Sequence, residues 1–235
     1  MISVVMLTKW RDEQAVEIIK GLAELSENPN DTEIVVSVDK DDEEAAGSIG
    51  VYGRLPLVSY VLGRSNAKGY LGIGEYTTDA CRLSRGEWIF IINDDSFVKT
   101  KGWDAIIRSE GDGNEQIKIL QCQSNIGKNN FPVISRRLFD ILGHVSPHPQ
   151  LDTWLQSIGV HLNIMKDIGI NILHHKGNYT KEEVDRLQER NESVFNAHLH
   201  NSSSEWHFRQ QKWQDLIFED IYKVKIELDK NEPPS

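Results

Sequence analysis

Two cysteines, Cys81 and Cys122, are all that the chain carries. Lying far apart and without C-x-x-C spacing, they make neither a disulfide framework nor a zinc site. They read as reduced, buried thiols of a cytoplasmic protein. Long apolar runs are missing too, since none approaches the ~20 residues of a membrane helix. The opening MISVVMLTKWRDE lacks the basic leader and small-residue cleavage site of a signal peptide, and reads as a first buried strand. Positive charge is scarce: 26 Lys plus Arg stand against 36 Asp plus Glu, a formal charge of −10. Neither the part up to His175 nor the remainder is basic, which argues against a broad footprint on nucleic acid but leaves a local basic groove open. No G-x-x-x-x-G-K-[ST] loop occurs, and no G-x-G-x-x-G follows the first strand. Gly69, Gly72 and Gly74 are too scattered to serve as either. Internal repeats and low-complexity segments are also absent.

What remains is 235 residues, 39% hydrophobic, with six Trp, six Tyr and seven Phe: one generous domain with a small appendage. ISVVML (Ile2 to Leu7) is continuous and β-branched, as in a strand covered on both faces. In DEQAVEIIKGLAELSE, residues Ala15, Ile18, Ile19, Leu22 and Leu25 recur at helical spacing. Asp12 and Glu13 suit the positive end of that helix dipole. EIVVSV (Glu33 to Val38) and LVSYVLG (Leu57 to Gly63) predict two more strands, and Ile73, Tyr76, Ala80 and Leu83 one face of a helix. EWIFIIN (Glu87 to Asn93) is the strongest strand pattern, followed by IKILQCQ (Ile117 to Gln123) and a late INILHH (Ile170 to His175). SRRLFDILG and QLDTWLQSIG predict short helices. Thr180 and Glu183 form a capping box for a polar helix to about Asn196. HNSSS (His200 to Ser204) reads as a linker, and a last helix carries Trp206, Trp213, Leu216, Ile217 and Val224, with a frayed tail after it. The order predicts an α/β fold: a mostly parallel, doubly wound sheet over residues 1–175 with helices on both faces, and a C-terminal helical extension over 176–235. Ligands of such sheets bind beyond the carboxyl ends of the strands.

Those strand ends collect acids. The second strand runs into Asp39-Lys40-Asp41-Asp42, and the strongest into Asn93-Asp94-Asp95. Adjacent carboxylates repel unless a cation or donor compensates them. Asp94 and Asp95 project differently from an extended chain, so one can reach a divalent ion while the other meets a hydroxyl. Oxygen ligands of this kind suit Mg²⁺ or Mn²⁺ on a diphosphate. Taken alone, NDDS is equally a solvated turn with an Asx cap.

The stretch RGEWIFIINDDSFVKTKGW resembles the metal-binding segment of family-2-type glycosyltransferases with the GT-A fold. ISVVMLTKWR resembles their first strand, and EIVVSVDKDD their second. The resemblance runs in order from Ile2 to Trp103 and more loosely to His175. It implies a nucleotide-sugar donor with Thr8 and Arg11 beside the nucleotide. It also implies Asp39 accepting from the base, uracil before the others, with Asp94 at the ribose or donor sugar and Asp95 on the metal. Asn93 stands where the family often has Asp, and Thr78 where many members have Asn. FPVISRRLFDILG resembles the acceptor-side segment, and Asp152 in PQLDTWLQSIG matches the general base of inverting members, a carboxylate suited to taking the hydroxyl proton. Without the family match, Asp152 is simply an acid favoured at a helix start. The resemblance further implies a metal-ligating His near the end of the late strand. Alternation allows one of His174 and His175 to face the site, and His174 is taken first. Arg64 and Lys68, with Asn66, follow the third strand and can either steady a diphosphate leaving group or line a solvated loop. Trp154 is core material or, beside Asp152, a platform for a sugar ring.

The resulting expectation is a metal-dependent glycosyltransferase that moves a sugar from a nucleotide sugar, a UDP-sugar first, to an acceptor hydroxyl with inversion. The acceptor is a glycan, a lipid-linked or another hydroxyl. A nucleotidyltransferase would show a Gly-rich basic loop after the first strand, which TKWRDE is not. A non-catalytic nucleotide- or carbohydrate-binding module of the same fold would bind without turnover, and Asn93 keeps that alternative open. Nothing in the sequence directly supports a nucleic-acid acceptor.

Overall fold

The computed structural model describes residues 1–9, 11–39, 50–64, 72–125, 127–148, 150–175 and 203–230. Their strands join one eight-stranded sheet. β1 (Ile2–Thr8) lies between β2 (Thr32–Asp39) and β4 (Trp88–Asn93), parallel to both, and β3 (Val58–Arg64) extends the parallel set beyond β2. β7 (Gly127–Ser135) then reverses direction beside β4, followed by β6 (Ile119–Ser124), β8 (Met165–His174) and, at the far edge, β5 (Ser96–Val98). β6 and β8 are parallel, whereas β7 runs against both β4 and β6, and β5 runs against β8.

Side-chain alternation sends successive strand residues to opposite faces. Val4, Met6, Ile34, Val36, Phe90 and Ile92 meet α1 (Asp12–Leu25), through Ala15, Ile18, Ile19 and Leu22, and α3 (Trp103–Arg108), through Trp103 and Ile107. Val5, Val35, Ile89, Ile91, Ile119 and Ile134 face the other way. There they meet α2 (Ile73–Leu83), α4 (Arg136–Leu142), α5 (Leu151–Leu162) and the 27-residue α6 (Ser203–Asp229). The expected helix-covered α/β sheet is present. Both cysteines are free and buried, one in each core layer, and burial pushes both thiols up to about 12.

Several local differences have physical causes. Ser203 and Ser204 are the first residues of α6 rather than part of a linker. β8 begins at Met165, before the apolar run that marks it, because its alternating residues pair with β6. Leu83 closes α2 with 39% of its surface exposed. Thr78 is a packing residue: its hydroxyl donates to the Gly74 carbonyl and accepts the Val145 N–H. Gly74 is required because a Cβ there would lie 2.3 Å from the Ser146 carbonyl oxygen. The capping box at Thr180 and Glu183 and the tail after Lys230 lie outside the described residues.

Candidate active site

Strand register builds the site. β1 sets Thr8 opposite Val38 and Leu7 opposite Asn93, while β2 sets Asp39 opposite Arg64. Asp39, Lys9 and the Asp94–Asp95 turn therefore leave the sheet along one rim, at the carboxyl ends of parallel strands. The three acids are nearly withdrawn from solvent: Asp39 is 0%, Asp94 9% and Asp95 7% exposed. Asn93 points outward, so the acidic turn presents its second and third residues to the interior.

Buried carboxylates need compensation, and two basic side chains beyond β1 supply it. One Arg11 nitrogen, Nη1, lies 2.9 Å from Asp94 Oδ1 and 2.9 Å from Asp95 Oδ2. Lys9 donates its backbone N–H to Asp94 Oδ2 at 3.3 Å and its ammonium to Asp39 Oδ2 at 2.5 Å. Compensation of Asp94 is incomplete. Burial pushes its carboxyl up to about 6, Arg11 pulls against the rise, and the charge of Asp95 adds to it. Thr8 is buried beside Asp94 and Tyr52. The fully buried Tyr52 donates its hydroxyl to Asp12 Oδ1 at 2.5 Å, and burial pushes that phenol upward.

The antiparallel pairing of β5 with β8 sets Ser96 opposite His174. His174 Nε2 thereby lies 3.1 Å from Asp95 Oδ1. His175 instead gives its backbone N–H to the Asp95 carbonyl and packs its ring edge-on against Phe97. Asn125 fixes His174 by accepting its N–H at 2.8 Å and donating to its carbonyl at 3.1 Å. Of the two histidines, His174 meets the acid.

Other candidate residues take different positions. Arg64 reaches the rim, but its guanidinium donates to the Ser37 carbonyl and hydroxyl and to the Thr8 carbonyl, and it stacks on Tyr76. It braces the ends of β1 and β2, and burial lowers its basicity. Lys68 lies outside the described residues. Asp152 stands in the first turn of α5, partly exposed, with Oδ1 accepting the Thr153 N–H; it makes no hydrogen bond to the acids of the rim. Trp154 is core: it is 2% exposed, donates Nε1–H to Asp220 and packs on Trp213.

Mn²⁺ or Mg²⁺ is the ion expected for this acid turn. Asp95 and His174 already touch, and His174 Nδ1 is a buried nitrogen with no hydrogen-bond partner. Among the described residues no three His, Cys, Asp or Glu side chains converge into a closed cage. Two protein donors at the strand ends suit an ion that takes the rest of its shell from water and a diphosphate, as Mg²⁺ and Mn²⁺ do.

Lys9, Tyr52 and Asn125 are site residues that sequence reasoning missed. Lys9 carried a local signal, since a basic residue directly after a first strand stands near the acids of its neighbours. Tyr52 and Asn125 carried none, because their contacts join segments 40 and 49 residues apart.

No protein-family model matches the chain, and no curated protein matches it. Its fold is matched among solved structures. Mannosyltransferase PcManGT from Pyrobaculum calidifontis, in complex with GDP-Man and Mn²⁺, aligns at TM-score 0.58 and 12% identity, over 86% of this chain and 65% of that one. Glucosyl-3-phosphoglycerate synthase from Mycobacterium tuberculosis, in complex with Mn²⁺, UDP and glucosyl-3-phosphoglycerate, aligns at 0.54 and 13%, over 84% and 79%. S. aureus TarS 1-349 with UDP-GlcNAc aligns at 0.54 and 15%, over 75% of this chain and 59% of that chain. The chain thus spans little more than half the TarS fragment, and 39% of a longer TarS chain. No helix among the described residues is long and apolar enough to cross a membrane. At such low identities the likeness is one of architecture: the chain has the α/β fold of the GT-A-type glycosyltransferases.

Proposed function

We propose that the protein is a metal-dependent glycosyltransferase that moves a sugar from a nucleotide sugar, a UDP-sugar first, to an acceptor hydroxyl with inversion. The observation that carries this reading is the meeting of Asp94 and Asp95 with Arg11, of Asp95 with His174, and of Asp39 with Lys9, along the carboxyl rim of a GT-A-type sheet. Asp95 and His174 would hold Mn²⁺ or Mg²⁺, which when bound neutralises charge on a diphosphate leaving group. Asp39 accepts from the base, and Asp94 from a ribose or donor-sugar hydroxyl. Thr8 and Arg11 flank the nucleotide, and Arg11 turns to phosphate oxygens once the acids have another cation. Arg64 holds the strand ends under the base, and Lys68, outside the described residues, is proposed as a further diphosphate-binding residue. Asp152 takes the acceptor proton as the acceptor oxygen bonds to the anomeric carbon and the bond from that carbon to the phosphate oxygen breaks.

The direct test is calorimetric binding of UDP, GDP and CDP, each with and without Mn²⁺, to wild type and Asp95→Ala. Metal-dependent binding that disappears in the variant supports the reading; no metal-dependent binding of any of the three defeats it. Asp152→Asn then keeps nucleotide affinity and lowers turnover roughly 10²–10⁴-fold. Because Asp152 is an acid of a helix first turn, its Oδ1 taken by the adjacent Thr153 N–H, a binding module of the same fold is the second reading. It predicts nucleotide affinity with no turnover and no effect of Asp152→Asn. The nucleotidyltransferase alternative has no support at the end of β1, where Thr8 and Lys9 lead directly to α1 rather than through a Gly-rich loop.

A further inference from the structure

The two basic residues beyond β1 stand on different acids. Arg11 bridges Asp94 and Asp95, and the Lys9 ammonium is on Asp39. From this division we infer that Lys9 is a base-side specificity residue: with Asp39 it forms a two-part site for a nucleobase edge, while the diphosphate end is left to Arg11 and the acid turn. The inference rests on the nucleotide-sugar reading above and goes beyond it, since a lysine following a first strand would ordinarily be given to phosphate.

Asp39 ends β2 opposite Arg64 of β3, two strands away from the Asp94–Asp95 turn at the end of β4. Its side chain is wholly buried, and a buried carboxylate holds its charge only against a close cation. Lys9 is that cation at 2.5 Å, and its side chain keeps 17% of its surface exposed. The Lys9 ammonium, the more exposed of the two, thus lies directly beside Asp39. A carboxylate only accepts and an ammonium only donates, so the pair presents an acceptor beside a donor. Such an edge mates with a base that shows an N–H beside a carbonyl or bare ring nitrogen, and not with a phosphate, which has acceptors only. Arg64 is committed elsewhere, since its two terminal nitrogens donate to the Ser37 and Thr8 backbone.

The test separates the base from the diphosphate. Uridine, UDP and inorganic pyrophosphate, all with Mn²⁺, are titrated calorimetrically into wild type, Lys9→Met and Lys9→Arg, with guanosine and GDP in place of the uracil pair if GDP binds tighter. Lys9→Met is expected to weaken nucleoside and nucleoside diphosphate alike, roughly 10- to 100-fold, the range of a hydrogen bond to a charged group. Pyrophosphate affinity should stay within about threefold, and Lys9→Arg should retain most base affinity. Since Lys9→Met strands a buried carboxylate, the double variant Lys9→Met/Asp39→Asn removes both charges. It should melt as a folded protein with the same pyrophosphate affinity and weak nucleoside binding. Equal losses for pyrophosphate and UDP in Lys9→Met would place Lys9 at the diphosphate and overturn the inference, as would unchanged uridine affinity. If no nucleoside diphosphate binds wild type at all, the glycosyltransferase reading falls first, and the inference falls with it.

Discussion

The two ends of the sheet bury acids in opposite ways. At the amino ends, Asp104 in the first turn of α3 accepts the backbone N–H groups of Glu27 and Asn28, each at 2.8 Å, and pairs with Arg108. Burial pushes its carboxyl up, but these donors outweigh it and hold the group at about 2. Glu33, at the start of β2, is treated similarly: the Ser3 hydroxyl and the Arg85 backbone and guanidinium hold it below the usual range against burial. At the carboxyl ends, Asp94 shares one arginine nitrogen with Asp95 and stands at about 6. Donors reach the acids at both ends; Asp94 differs in being the more deeply desolvated and in standing beside the charge of Asp95. An acid whose donors outweigh its burial is finished as structure, whereas one whose burial and acidic neighbour outweigh its donors still favours a cation or a hydroxyl from outside.

Breaking the carboxyl end should cost function before stability. Asp95→Ala is expected to lower turnover of a nucleotide sugar by roughly 10²–10³-fold or more, with little change in melting temperature, as assayed by donor consumption alongside thermal melts. Breaking the amino end should do the reverse. Asp104→Ala leaves two backbone N–H groups without their acceptor and should lower unfolding free energy by about 3 kcal/mol in urea titrations, with nucleotide affinity unchanged.

A pH series sharpens the contrast. Because Asp104 sits at about 2 rather than its ordinary 3.8, its share of stability is full above that ordinary value and drains away as pH falls through about 2. The share is about 2 kcal/mol, so the acid limb of the stability profile should flatten in Asp104→Asn. The smallest effect has the opposite sign: Asp94→Asn should raise the stability of the metal-free protein at neutral pH by about 1 kcal/mol while weakening nucleotide binding. That is the trade expected when an under-compensated acid is kept for use. Equal destabilisation by Asp94→Asn and Asp104→Asn would erase the distinction between the two ends.

Much of this arrangement was legible beforehand, for identifiable reasons. β1, β2 and β4 are buried on both faces, so their apolar runs are continuous, and the acids that follow them stand out as an abrupt change of character. The pairing of His174 with Asp95 was within reach because both end strands. Strand direction was harder: an apolar run such as FPVIS has no polarity, so nothing local marks β7 as the strand that reverses. Lys9 on Asp39 depends on the register of β1 against β2, and Asn125 on His174 depends on the path of a turn; neither leaves a pattern in neighbouring residues. Arg64 shows the limit of composition. A basic residue at a strand end suits phosphate, yet its guanidinium is taken up by backbone carbonyls that only the folded sheet brings together.

The brevity of β5 has a consequence for life in a crowded solution. Sheet margins are where stray chains add themselves strand by strand, and a long flat margin invites fibre growth. The margin beside the acid turn is only three residues long, Ser96–Val98, and the chain beyond it carries Lys99 and Lys101. Three residues are too few to seed an intruding strand, and two lysines repel the next positively charged one. The edge closest to the chemistry is thus short enough to hold His174 in place and too short to recruit a neighbour.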